Sequence, residues 1–390
     1  MIKKYNLFFS HFIIFAYLCK YKNYWRMNKI YFRALVLAFA LAFASMAMAQ
    51  RIQTVDTEGN PVGYASVANA DNGNVIGATD LKGVLENVGG AKNISISHVA
   101  FTPVVVSVAS LPPDGTIVLT DAKFELPEVT VKKKEYVYVQ TYYRVFLMFD
   151  DTLMYYRSGV TDNTYNIRKK TVSSQHEHFS KAKMGLLKFI LDGIVGGVID
   201  DYSNLSTNNV CLGNNDGKLT LEKEEANRQR VLFKDTLVGY IVDDHDDHLR
   251  RLSIDNETYS RLYHADKDSE KKAKKREKRK EQRKNEVSTR YMVYQIDDDG
   301  NCRPEDFVSK QIRTDYDKYS NINKKEEHHT MLVEIFSTDR AYVDKDELKE
   351  KKRENKIKMD YNSLMQFEKN HGIPPLPDNA LKSLQEIVNK

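Results

Sequence analysis

No aspartate or glutamate occurs among residues 1–49, which nonetheless hold Lys3, Lys4, Lys20, Lys22, Arg26, Lys29 and Arg33. The net charge of +5 therefore overstates the basicity of residues 50–390. Setting those seven aside from 59 basic residues, against 54 acidic ones, turns +5 into −2. A second concentration lies at 270–284, with ten Lys or Arg and three Glu, and without it the rest of the chain after residue 49 stands at about −9. That balance does not support a general phosphate-binding surface, and nucleic acid is not expected as a partner. Long apolar runs are also missing: nothing after residue 49 reaches the roughly 20 residues of a membrane-spanning helix. Cysteine is scarce, with three in 390 residues. Local catalytic signatures are absent as well, since there is no Gly-x-Ser-x-Gly, no phosphate loop and no cysteine beside a motif-flanked histidine. No nucleophile is nameable on that basis, and no cofactor is implied.

The length accommodates two or three domains at roughly 100–200 residues each. Ahead of them stands a leader. Lys29 and Arg33 precede an apolar run from Ala34 to Phe43, and Ala47-Met48-Ala49 puts small residues at the two positions a signal peptidase reads. Residues 27–49 read as a secretory signal peptide initiated at Met27, with 1–26 a mis-assigned upstream segment. An uncleaved inner-membrane anchor is the alternative, against which the short run argues. The bulky Leu18 before Cys19 argues against lipid attachment there. The protein is thus expected to be exported, periplasmic or outer-membrane associated. Cys211 and Cys302 remain after cleavage, as a disulfide closing a long loop or as two separate buried thiols.

Residues 51–131 have the rhythm of an antiparallel β module. Gly59-Asn60-Pro61-Val62, Asn72-Gly73, Thr79-Asp80-Leu81-Lys82-Gly83, Gly89-Gly90 and Pro112-Pro113-Asp114-Gly115 punctuate short runs rich in Val, Ile and Ala. Ile94, Ile96 and His98 alternate with Ser95, Ser97 and Val99, as do the residues of Val104–Val108, and seven or eight short strands are expected in a two-sheet sandwich. Asp56, the Gly59–Val62 turn, Ala65, Val67, Thr79-Asp80 with Gly83, Ile96–Phe101, Ile117-Val118-Leu119 and Leu126–Val131 together make the stretch resemble the carboxypeptidase regulatory-like domain. The resemblance, confined to residues 51–131, is to the version at the N-termini of exported and outer-membrane proteins of diderm bacteria. It implies a transthyretin-like β-sandwich with an accessory, non-catalytic role. It carries over no catalytic residue, because the His-x-x-Glu of the zinc peptidases that named the family is absent. The residues after this module are too few for a membrane barrel of about 22 strands.

A basic joint, Lys132–Lys134, leads into a β-rich domain expected over 136–344. Tyr136–Phe149 is nearly continuous Tyr, Val, Phe, Leu and Met, a buried strand pair or one broad core strand. Phe149-Asp150-Asp151-Thr152-Leu153 with Tyr156 recurs as Phe233-Lys234-Asp235-Thr236-Leu237 with Tyr240, a turn between strands used twice. The Asp-Thr-Leu triplets also resemble O-glycan acceptor sites at Thr152 and Thr236. Leu186–Ile199 carries helical apolar spacing with Gly193 and Gly197, reading as a buried helix or lid. The insertion 265–286 is too charged to bury a face, so a solvated helix or a disordered loop is expected. Strands resume at Tyr291–Ile296 and Met331–Phe336, with Asp299-Gly300 as a turn. Within 345–390 one helix is expected from Asp346 to about Lys358. A second is capped by Asp378, with Leu381, Leu384, Ile387 and Val388 inward. The fold class is therefore mainly β: a transthyretin-like sandwich, a larger β-rich domain with a charged helical insertion, and C-terminal helices.

The sharpest candidate site is Asp243-Asp244-His245-Asp246-Asp247-His248, since carboxylate and imidazole are the ligands a divalent metal takes. If extended, Asp244, Asp246 and His248 share a face; if helical, His245 and His248 do; an exposed acidic loop is the plain alternative. His176-Glu177-His178 and Glu326-Glu327-His328-His329 are the segments that would complete such a site. Asn214–Gly217 and Asp297–Gly300 lack calcium-loop ligands at the required positions and read as turns. The expected function is non-catalytic binding or assembly in the envelope, with protein or glycan partners. The alternative is a metal-dependent hydrolase built on residues 243–248.

Overall fold

The computed structural model describes residues 51–122, 134–150, 152–183, 192, 219–265, 270–321, 323–376 and 378–389. The leader, Leu126–Val131, Cys211, the Asn214–Gly217 turn and all of Leu186–Ile199 but Asp192 lie outside the described residues. Residues Arg51–Lys390 form one compact unit.

The chain is mainly β. In its N-terminal module, seven strands make two small sheets: β1 (Ile52–Val55), β4 (Val84–Leu85) and β7 (Thr116–Val118) in one, and β2 (Ser66–Asn69), β3 (Val75–Ala78), β5 (Asn93–His98) and β6 (Phe101–Ser107) in the other. The β5 side chains alternate between buried and half-buried, as period-two patterning demands. Ile52 and Ile117 of the first sheet meet Val67, Ile94 and Ile96 of the second in one apolar cluster. Two turns need glycine. Gly83 and Gly115 have φ of +74° and +73°, and a Cβ on either would strike a backbone carbonyl, of Thr54 and of Arg51 respectively.

Among the described residues of 136–343, ten strands build one antiparallel sheet. Its strands are β8 (Tyr136–Phe149), β9 (Thr152–Asn166), β10 (Thr171–Ala182), β11 (Leu219–Lys223), β12 (Arg228–Phe233), β13 (Thr236–Asp244), β14 (Leu249–Asp255), β15 (Lys284–Gln295), β16 (Phe307–Ser320) and β17 (Lys325–Val343). Tyr136–Phe149 is thus a single strand, buried on both faces. The order β10-β9-β8-β17-β16-β15-β14-β13-β12-β11 is a meander closed by pairing its last strand with its first, leaving the successive strands β10 and β11 at opposite edges. One face carries Val139, Tyr143, Val231, Ile241, Leu252, Ile312 and Val333, and side chains of both edge strands pack into that same core. The other face carries Tyr142, Val160, Tyr291, Val293 and Phe336, which join the apolar cluster of the N-terminal module.

Both expected turns of the recurring Asp-Thr-Leu motif link paired strands, with Phe149 opposite Thr152 and Phe233 opposite Thr236, so each threonine opens a strand and does not lie in the turn itself. Lys234 and Asp235 have φ of 50° and 62°, the left-handed pair that suits the twist of the flanking strands. Helix α1 (Asn256–Ala265) precedes the charged insertion and packs Tyr259, Leu262 and Tyr263 against the sheet core, and the insertion itself holds α2 (Glu270–Gln282), exposed at every described side chain. At the C-terminus the structure differs from expectation: three helices stand where the pattern predicts two, α3 (Lys345–Glu354), α4 (Tyr361–Asn370) and α5 (Asp378–Val388). The cause is Asn355. Its side chain donates to Asp339 and to Tyr138, and its carbonyl accepts from Gln140, so the sheet holds this residue and ends α3 despite the helix-favouring composition through Lys358. A new helix then starts where Asp360 Oδ1 accepts the Ser363 N–H at 3.0 Å.

Candidate functional site

Asp243 and Asp244 are consecutive on β13, so their side chains leave on opposite faces of the sheet. Asp243 receives a two-pronged contact from Arg250, with Nε on Oδ1 and Nη2 on Oδ2, each at 2.6 Å. Asp244, on the face covered by the N-terminal module, accepts the N–H groups of Asp246 and Asp247 at 3.1 and 3.0 Å and both terminal nitrogens of Arg251 at 3.2 Å. The Arg251 guanidinium also lies 2.8 Å from Asp121 Oδ1 and 5.6 Å from the centre of the Phe101 ring. Asp121 is bridged to Phe101 in the module, so this cluster spans the seam between module and sheet. Oxygens of Asp121, Asp244 and Asp247 all lie within 4.8 Å of one another. Burial pushes the Asp121 carboxyl up to about 6 against the pull of Arg251, and the charges of Asp244 and Asp247 add to the rise.

The structure therefore keeps one part of the expected metal set and disperses the rest. Asp244 converges with Asp247 and with Asp121, a residue 123 positions earlier that no local motif flagged. His245, Asp246 and His248 sit exposed in the turn between β13 and β14, with His248 Nδ1 3.7 Å from Asp298. Three oxygen donors suit a hard divalent cation, but Arg251 already supplies positive charge at the same place.

His176 and His178 do share one face of β10. There they meet Thr161 Oγ1 at 2.8 Å and Arg157 Nη2 at 3.3 Å. His328 and His329 separate to opposite faces. His328 lies 2.7 Å from Asp317, and hydrogen bonding to Asp315 pushes it up to about 9 although burial opposes. His329 stacks on Tyr316, and burial lowers it. Asp297–Gly300 is a turn, Asp297 Oδ1 accepting the N–H groups of Asp299 and Asn301. Cys302 is half-buried near Arg250, and burial pushes its thiol up to about 11. Thr236 is exposed and Thr152 half-buried, each opening the strand after its turn.

A second polar cluster has no counterpart among the sequence motifs. Arg144 points toward the C-terminal helices and pairs with Glu334 at 2.6 Å and Glu368 at 3.3 Å, while the Tyr142 hydroxyl donates to Glu368 at 2.6 Å. The available signal was that Arg144 is the sole charge in the run Tyr136–Phe149. No protein-family model matches the chain, and no curated protein matches it.

Proposed function

We propose that this is an exported, non-catalytic binding or assembly protein of the bacterial envelope, with an N-terminal module of the carboxypeptidase regulatory-like kind. The observation that carries the reading is the seam. Val99 N–H donates to Gln311, Ser66 accepts from Arg313, Asp121 pairs with Arg251, and Tyr291, Val293 and Phe336 share the module's apolar core. An accessory module packed in this way covers one face of the large sheet and makes the two a single body, suited to holding a protein or glycan partner. Cross-linking in intact cells, with the N-terminus of the recovered protein determined, tests both halves. An N-terminus at Gln50 and envelope neighbours are expected; an intact leader with only cytoplasmic neighbours overturns the proposal.

A second reading, a metal-dependent hydrolase, is favoured by the convergence of Asp121, Asp244 and Asp247. It is tested by the metal content of the purified mature protein. Stoichiometric metal that disappears in Asp121→Asn and Asp247→Asn, but stays in His245→Ala and His248→Ala, would establish a metal site at the seam.

A further inference from the structure

Every described side chain of α2 from Lys271 to Gln282 is exposed, and eight of the ten residues from Lys271 to Lys280 are Lys or Arg. At 3.6 residues per turn, Lys271, Lys275 and Arg279 form one row, Lys272, Arg276 and Lys280 a second, and Lys274 with Lys278 a third. Glu277 and Glu281, one turn apart, are confined to a narrow stripe. The cationic rows thus cover roughly two thirds of the circumference. Lys280 reaches Glu257 of α1 at 3.5 Å, a contact that stays open to solvent.

We infer that α2 is a docking surface for the phosphate headgroups of an anionic membrane. The rest of the chain after the leader is net acidic, so attraction to a negative surface is concentrated on this one helix and turns the acidic body away. The helix has no apolar stripe, so it lies on the headgroups and does not enter the hydrocarbon. Nucleic acid fits less well: α2 offers no aromatic ring for a base to stack on, and a lone convex helix makes no groove to track a strand. The location of that membrane rests on the proposed export; the binding itself does not.

The test uses the purified full mature chain and co-sedimentation with vesicles of phosphatidylcholine alone or mixed with phosphatidylglycerol. Binding is expected only to the mixed vesicles and is expected to weaken at least about tenfold as salt rises from 0.05 to 0.5 M. The variant Lys271→Glu/Lys275→Glu/Arg279→Glu is expected to lose at least about tenfold in affinity with its thermal midpoint unchanged. Lys349→Glu/Arg353→Glu on α3, an equally exposed pair, is expected to bind as the parent does. Equal binding by the α2 variant, equal binding to neutral vesicles, or tighter binding to a single-stranded oligonucleotide would each overturn the inference. An unprocessed leader in cells would count against export alone and leave the vesicle result standing.

Discussion

Arg144 shows how much one side chain carries here. Its side chain is 2% exposed, among Phe146 and Phe336, and its charge offsets Glu334 and Glu368 together. Replacing it with Met leaves two carboxylates in an apolar wall, and urea unfolding should register a loss of about 3–5 kcal/mol. The variant R144M/E334Q/E368Q is expected to recover most of that loss; an equal loss in both would refute the charge argument. His328 gives the corresponding pH signature. Its folded value of about 9 lies above the ordinary 6.5, so the stabilisation from Asp315 and Asp317 is complete below pH 6.5 and is lost as pH rises through 9. His328→Gln should flatten that part of the stability profile, while an unchanged profile would remove His328 as its cause. The Asp and His run at 243–248 was legible as chemistry but not as geometry. Strand alternation sends Asp243 to Arg250 and Asp244 to Arg251, and the partner Asp121 comes from the N-terminal module, where it is bridged to Phe101.

Among the strands and helices, local patterns served well where the governing contacts were local. Period-two alternation marked β5, the polar Asp-Thr pairs marked both hairpins to within one residue, and unrelieved charge marked 265–286 as unable to bury a face. They failed at the boundary between α3 and α4, where the deciding contacts of Asn355 go to Asp339 and Tyr138 on the sheet. Helix α4 is held by Leu364, wholly buried in the shared cluster. Leu364→Ala is expected to cost about 2–5 kcal/mol. Hydrogen exchange should then show α4 opening before the strands beneath it; uniform opening of the whole sheet would contradict that hierarchy.

Across the whole molecule, the shared core decides cooperativity. Composition marks a module over 51–131 joined to a larger domain from residue 136, and Arg51–Lys390 is one compact unit in which module and sheet bury residues together. Calorimetry of residues 51–390 is accordingly expected to show one transition whose van't Hoff and calorimetric enthalpies agree. Two resolved transitions would mean that the seam contributes little.

Residues close together in the chain were enough to specify the strand-and-turn rhythm, the mainly β class and the solvated character of the charged insertion. Each rests on a short-range signal: alternation, turn chemistry, or a run of like charge. Folding in three dimensions was needed to establish that β17 pairs with β8, that Asp121 meets Asp244, and that Arg144 is neutralised by two distant glutamates. Those pairings join residues 123 to more than 200 positions apart. They depend on the register of a long antiparallel ladder, where a slip of one residue would turn every side chain to the opposite face.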